Sequence, residues 1–236
     1  MGLTEYRRKR RFSVTPEPSG GEKRRRAATR KLGFVVQKHR ATRLHYDFRL
    51  EWRGVLLSWA VPKGPSLDPS IKRLAMQTED HPIEYATFEG IIPEGEYGGG
   101  TVMVWDQGTW TPEVPDVDAA LRRGDLKFAL HGKKLSGSWV LVRTKPRPDS
   151  GGKPAWLLIK HRDAAASDED IATSRPRSVV SKRTLAEIAW HEGGNVEKAA
   201  SGDPPEALQK LVDNPALIAR RRRRKPAVWH SNRAGS

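Results

Sequence analysis

The sequence predicts a mostly β protein, a small closed β-barrel with short flanking helices and basic, flexible N- and C-terminal tails. Three observations lead there. From Gly33 onward the chain is a succession of short runs rich in Val, Leu, Trp and Phe, broken by Pro and Gly, which is the texture of an all-β domain. The runs number about eight, enough to close a small barrel. The net charge of +15 is uneven: residues 1–32 hold 11 Lys/Arg against 3 Asp/Glu, residues 33–163 hold 19 against 16, and residues 164–236 hold 13 against 9. A near-neutral middle between basic ends divides the chain into a basic arm (1–32), a barrel domain (33–163) and a linker with short helices and an Arg-rich tail (164–236).

In chain order, the arm carries two basic runs, 7–11 and 23–26, separated by Thr15-Pro16-Glu17-Pro18-Ser19-Gly20-Gly21. That stretch cannot form regular structure, so much of the arm is expected to be mobile without a ligand. Strands are predicted over 34–39 and 44–52, joined by a short polar turn, then over 55–61 after a turn at Arg53-Gly54. Further strands are predicted over 75–78, 101–110, 126–130, 137–144 and 156–160. Asp116 is placed to cap a helix ending near Arg123. Beyond Asp163 the composition turns to Ala, Ser, Asp and Pro, so the core is expected to end and a linker to begin. Two short helices should follow. Thr184 and Glu187 have capping-box spacing, and 204–219 carries a partial apolar stripe of Leu208, Leu211, Val212 and Leu217. The tail closes on six cations, 220–225.

Lys and Arg gain affinity for polyanions by releasing counterions from phosphates, so the basic ends point to nucleic acid, with mere solubility as the bland alternative. The chain has no cysteine. Disulfides and thiolate metal sites are therefore excluded, and a metal would have to be held by His nitrogen and carboxylate oxygen. No run approaches the apolar length of a membrane span, and the N-terminus lacks the apolar core of a signal peptide. The expectation is a cytoplasmic, nucleoid-associated protein with no membrane partner.

The second predicted strand makes the sharpest statement, because side chains two apart share a face. His45, Asp47, Arg49 and Glu51 point one way; Leu44, Tyr46, Phe48, Leu50 and Trp52 point the other. On the preceding strand Val35, Gln37 and His39 share a face, so a hairpin can bring His39 and Gln37 alongside His45 and Asp47. Two imidazoles and one carboxylate suit Mn, Fe, Co or Zn and leave coordination positions open. Arg49 adds a fork of donors suited to a metal-bound phosphate. On spacing alone, an ordinary solvated β face with alternating charges explains the same residues as well.

Gln37-Lys38-His39, Leu44-His45-Tyr46-Asp47-Phe48-Arg49-Leu50-Glu51, Ser58-Trp59-Ala60-Val61-Pro62-Lys63-Gly64-Pro65, Glu79-Asp80-His81-Pro82, Phe88-Glu89-Gly90-Ile91-Ile92-Pro93-Glu94-Gly95, Tyr97-Gly98 and Trp156-Leu157-Leu158-Ile159-Lys160 resemble the 3′-phosphoesterase module of bacterial DNA ligase D. The resemblance runs from about residue 6 to residue 163. It implies a manganese-dependent phosphodiesterase and phosphomonoesterase, with Co2+ or Zn2+ as further candidate metals, acting on DNA or RNA–DNA 3′ ends. It also implies a place in end joining beside Ku and a separate ligase or polymerase. Carried over residue by residue, it implies that His39, His45 and Asp47 bind the metal and that Arg49, His81 and Tyr85 contact the scissile phosphate. It further implies that Gln37, Lys63 and Arg73 lie near the site, and that Arg10 and Glu17 belong to an N-terminal segment folded across it. The family's Lys-Arg-Asp-Phe appears here as Lys9-Arg10-Arg11-Phe12, a basic residue in place of an acidic one.

Two competing readings follow from the same residues. His45, Asp47 and a distant His131 have the form of the facial triad of an Fe(II) 2-oxoglutarate oxygenase. Alternatively, a barrel with basic arms only binds nucleic acid and catalyses nothing.

Overall fold

A computed structural model describes residues 2–21, 31–145 and 155–205, together with Gln209. Ten strands are present among the described residues: β1 (Leu32–Arg40), β2 (Leu44–Trp52), β3 (Val55–Val61), β4 (Arg73–Gln77), β5 (His81–Pro82), β6 (Gly90–Ile92), β7 (Gly100–Pro112), β8 (Asp125–Gly132), β9 (Ser136–Arg143) and β10 (Ala155–Lys160). Eight of them close an antiparallel ring in the order β1-β2-β3-β4-β10-β9-β8-β7, with β7 returning to β1; β5 hangs on β3 and β6 on β7. The barrel expected from the sequence is therefore the fold, and β2 and β3 span the predicted residues. The two short strands β5 and β6, and the 3-10 turn Ile83–Thr87 between them, lack the alternating runs that sequence reading needs.

Alternation sorts the strands into two faces. Phe34, Val36, Tyr46, Phe48, Leu50, Leu57 and Trp59 point into the ring and meet Met103, Trp105, Phe128, Trp139, Leu141 and Trp156 in one core. Indole rings dominate it: Trp59 and Trp156 pack edge to face with centroids 5.9 Å apart. Truncating a buried ring of this kind to Ala costs about 3–5 kcal/mol. The pairing of β1 with β7 slips by one residue between Val36 and Gln37, which face Asp106 and Val104, so Trp105 is the extra residue of a bulge. It stays in the core and donates its indole N–H to the Arg175 carbonyl at 2.9 Å.

Helices α1 (Thr4–Arg8), α2 (Val117–Arg123), α3 (Ile171–Ser174), α4 (Leu185–Glu192) and α5 (Val196–Ala200) flank the ring. Asp116 caps α2 by accepting from the Ala119 amide at 3.0 Å, and Gly124 ends it in the left-handed conformation, φ 83°. The Thr184–Glu187 capping box opens α4 as its spacing predicted. The segment after Asp163 is more than a linker as far as residue 205, and this corrects the expectation. Ile171, Leu185, Ile188, Ala189 and Ala199 belong to the barrel core. Asp203 ties the segment to β1, with Lys38 Nζ at 3.4 Å from Oδ1 and the Ala186 amide donating to Oδ2. Short alanine-rich helices bury methyl groups without a long apolar stripe, which is why composition suggested a spacer. Residues 2–21 of the basic arm also lie on the barrel, with Tyr6 fully buried. The predicted helix over 204–219 and the cationic run 220–225 fall almost wholly outside the described residues. Among the described residues, no helix is long and apolar enough to cross a membrane.

Candidate metal and phosphate site

The β1–β2 hairpin sets His39 opposite His45 and Gln37 opposite Asp47. These side chains project from the outer face of the sheet, and the imidazole centroids are 4.8 Å apart. Asp47 lies between the two rings: Oδ2 is 3.7 Å from His39 Nδ1, and Oδ1 is 3.7 Å from His45 Nε2. One ligand atom from each of the three residues falls within 4.8 Å of the others.

Two features suit these atoms to a metal. His45 Nδ1 is 3.0 Å from the Arg43 carbonyl, so the proton belongs on Nδ1 and the lone pair on Nε2, facing Asp47. His39 Nε2 is buried without a hydrogen-bond partner, and burial pushes the ring's pKa down against the pull of Asp47, which keeps the imidazole neutral. Burial alone would raise the Asp47 carboxyl, but Arg49 and the two imidazoles outweigh it and hold the group well below the usual carboxylate range. A neutral imidazole whose Nε2 has no partner, beside an ionised carboxylate, is the donor chemistry of a divalent transition-metal site with open positions. Gly98, at φ 79°, lies so close to the trio that a Cβ there would come within 3.6 Å of His39 Cε1.

Along the same face, Arg49 donates to Gln37 Oε1 (2.8 Å), Ser58 Oγ (2.7 Å) and Asp47 Oδ2 (3.1 Å). Its guanidinium carbon is 5.0 Å from the centre of the Tyr85 ring. His81 Nδ1 donates to the Glu79 carbonyl at 2.8 Å, so Nε2 accepts from Arg10 Nη2 at 3.2 Å. Burial, then the charges of Arg49 and Arg10, push the His81 pKa well down. Burial and Glu17 push the Tyr85 phenol well up, so it remains a donor; it reaches Glu17 Oε1 at 3.0 Å. Arg10 also donates to Glu17 Oε1 (2.8 Å) and to Glu79 Oε1 (3.1 Å). The result is a wall of donors and one neutral imidazole next to the candidate metal-binding trio.

The structure thus brings together His39, His45, Asp47, Arg49, Gln37, His81, Tyr85, Arg10 and Glu17. The arm's Arg10 and Glu17 join through the network above, and the substituted Arg11 pairs with Glu96 instead of an internal partner. Gln37 acts as a spacer, its amide donating to the Tyr85 and Phe88 carbonyls at 3.0 and 2.9 Å while its oxygen holds Arg49. Lys63 is exposed in the turn after β3, and Arg73 opens β4 opposite Leu158 with its Nε buried and unpartnered. No hydrogen bond or ion pair joins either to the network among the described residues. His131 is on β8, exposed, opposite Thr109 and Ser136, and outside the trio, so the facial triad with His45 and Asp47 does not form.

Sequence reading missed Ser58, Glu79 and Tyr6. Ser58 was findable: it pairs with Arg49 and alternates with Leu57 and Trp59, which places it on the outer face. Glu79 and Tyr6 carry no such signal, since their roles depend on how the arm docks.

Residues 37–143 match the DNA Ligase D 3′-phosphoesterase domain family. The chain is 56% identical over 186 residues to the multifunctional non-homologous end joining protein LigD of Pseudomonas aeruginosa, covering 78% of this chain and 22% of that protein. It is 51% identical over 142 residues to the LigD of Mycobacterium tuberculosis, covering 60% and 18%, and 44% identical over 176 residues to that of Mycolicibacterium smegmatis, covering 72% and 22%. The chain spans 22% or less of the length of these relatives. Residues 37–143, the greater part of its barrel, therefore form a domain of the DNA Ligase D 3′-phosphoesterase family.

Proposed function

We propose that this protein is a metal-dependent phosphoesterase that heals the 3′ ends of nucleic acid strands. In that reading it removes a terminal ribonucleoside and then the 3′-phosphate to leave a 3′-OH, in double-strand break repair by end joining. The observation that carries it is the trio of His39, His45 and Asp47, with His39 and Asp47 buried and His45 half-buried, on the same sheet face as Arg49 and beside His81 and Tyr85. Mn2+ is the preferred occupant, with Co2+ and Zn2+ as alternatives.

Bound there, a divalent ion would supply Lewis-acid polarisation of a phosphate oxygen and neutralise charge developing on it. The chain's own residues supply the rest. Arg49 is fixed by Gln37, Ser58 and Asp47, so its remaining N–H groups are pre-aimed and cost no reorganisation when charge builds on the phosphate. The Tyr85 phenol, kept protonated and hydrogen-bonded to Glu17, adds a donor that carries no charge. His81, kept neutral with its Nδ1 proton spent on the Glu79 carbonyl, presents a lone pair at Nε2 and is better suited to accept a proton there than to deliver one. Family membership supports DNA ends as the substrate, and by the same analogy Ku and a separate ligase or polymerase are the partners to test.

The experiment is digestion of a 5′-labelled primer-template ending in one ribonucleotide, with Mn2+ or EDTA, by the native protein and by His45→Ala. Metal-dependent conversion to a 3′-phosphate and then to a 3′-OH, lost in the variant, is the expected result. Salt-sensitive binding that persists in His45→Ala with no product formed would leave a nucleic-acid-binding module instead.

A further inference from the structure

Tyr97 is 45% exposed, in the loop 93–99 between β6 and β7. The loop is built from two successive turns, the Glu96 amide donating to the Pro93 carbonyl (3.2 Å) and the Gly99 amide to the Glu96 carbonyl (2.9 Å). From the arm, Lys9 Nζ lies 4.8 Å from the centre of the Tyr97 ring and 3.4 Å from its hydroxyl, and Arg10 Cζ lies 5.6 Å from the ring centre. Arg10 itself reaches His81 Nε2, and Gly98, the next residue, lies beside the His39 ring, where an added Cβ would be 3.6 Å from Cε1. The ring is therefore one side chain from the phosphate-facing wall and one residue from the metal-ligating trio. It is held by two cations, yet nearly half of its surface is open.

An open aromatic face beside a phosphate site is what a nucleobase needs, since stacking on Tyr holds any base regardless of its identity. We propose that Tyr97 is the stacking platform for the base of the 3′-terminal nucleotide whose phosphate enters the site. This rests on the phosphoesterase reading above and adds a base subsite to it. Lys9 and Arg10 fix the plane of the ring and place positive charge beside the same nucleotide. All four bases should be accepted about equally, because every base offers a π face.

The test uses the full chain with Tyr97→Ala and Tyr97→Phe, and oligonucleotides ending in a 3′-phosphate on either a normal or an abasic terminal nucleotide. Native protein and Tyr97→Phe should show a KM roughly 5- to 100-fold lower for the normal end than for the abasic one, and Tyr97→Ala should lose that preference. In parallel, 2-aminopurine at the 3′ terminus should be quenched on binding to the native protein and much less by Tyr97→Ala. An equal KM rise for both substrates in Tyr97→Ala would overturn the proposal and leave the ring as an anchor for the arm. Cleavage by the native protein without quenching would also overturn it. Quenching without any cleavage would sink the phosphoesterase reading while sustaining the base subsite.

Discussion

Strands β2 and β8 look alike in sequence. Each alternates apolar with mostly polar residues: His45, Asp47, Arg49 and Glu51 on one, Asp125, Lys127, Ala129 and His131 on the other. In the fold they are opposites. On β2, Asp47, Arg49 and Glu51 are buried, whereas Asp125, Lys127 and His131 are exposed to solvent. Period-two alternation says which side chains share a face but not what lies over that face. Over β2 lie the arm, the 3-10 turn with Tyr85, and the loop holding Gly98. Over β8, α2 packs at one end and His131 is open at the other. Burial turns an ordinary run of charges into a network in which each group must be paired, and that network is the candidate site.

The comparison can be broken in four ways, from the largest effect to the smallest. Asp47→Ala removes a carboxylate that both imidazoles face, and phosphoesterase activity on the primer-template should fall to the limit of detection, where Asp125→Ala should leave it unchanged.

Arg49→Ala should lower kcat on the order of 10²–10³-fold, as expected for loss of a pre-aimed donor. It also leaves Asp47 buried beside two imidazoles without its guanidinium, which should destabilise the metal-free protein by about 3–5 kcal/mol in urea unfolding. Lys127→Ala should stay within about 0.5 kcal/mol of the native protein. Similar losses for the two variants would mean that the buried network carries no special weight.

The third way is pH. His81 has a folded pKa below its unfolded value, so the folded state resists protonation that the unfolded chain accepts. Its contribution is therefore intact above the unfolded pKa of about 6.5 and is lost as pH falls below it. Between about pH 7.5 and about pH 5.5, the native Tm should drop further than that of His81→Gln, and parallel curves would place the acid sensitivity elsewhere. Smallest of all, His131→Ala should change kcat/KM by no more than about twofold, the scatter typical of an exposed site. A larger loss would reopen the facial-triad reading.

Much of the ring was legible. The predicted bounds of β2 and β3 hold, the Arg53-Gly54 turn joins them with both residues at positive φ, and the caps of α2 and α4 fall where Asp116 and Thr184 placed them. So was the meeting of His39, His45 and Asp47, because it needs only a hairpin and a register. What the sequence withheld is everything that depends on distant segments meeting. Tyr6, from the arm, and Val179, from beyond the predicted domain end, pack into one cluster with Tyr85, Val35, Leu56 and Val104. Val179 is pinned there by its amide donating to the Val104 carbonyl at 3.0 Å. Neither contact leaves a trace in periodicity, since a single side chain reaching across the molecule has no period.

Closing β7 onto β1 has one more consequence. An open eight-stranded sheet with this much tryptophan would present two long rows of unpaired amides and carbonyls, ready templates for another chain. Here the ring joins those rows to each other, and the edges left at β5 and β6 are two and three residues long, with Pro82 in the first. Among the described residues, the long strand edges through which copies of this chain could pair backbone to backbone are thereby closed.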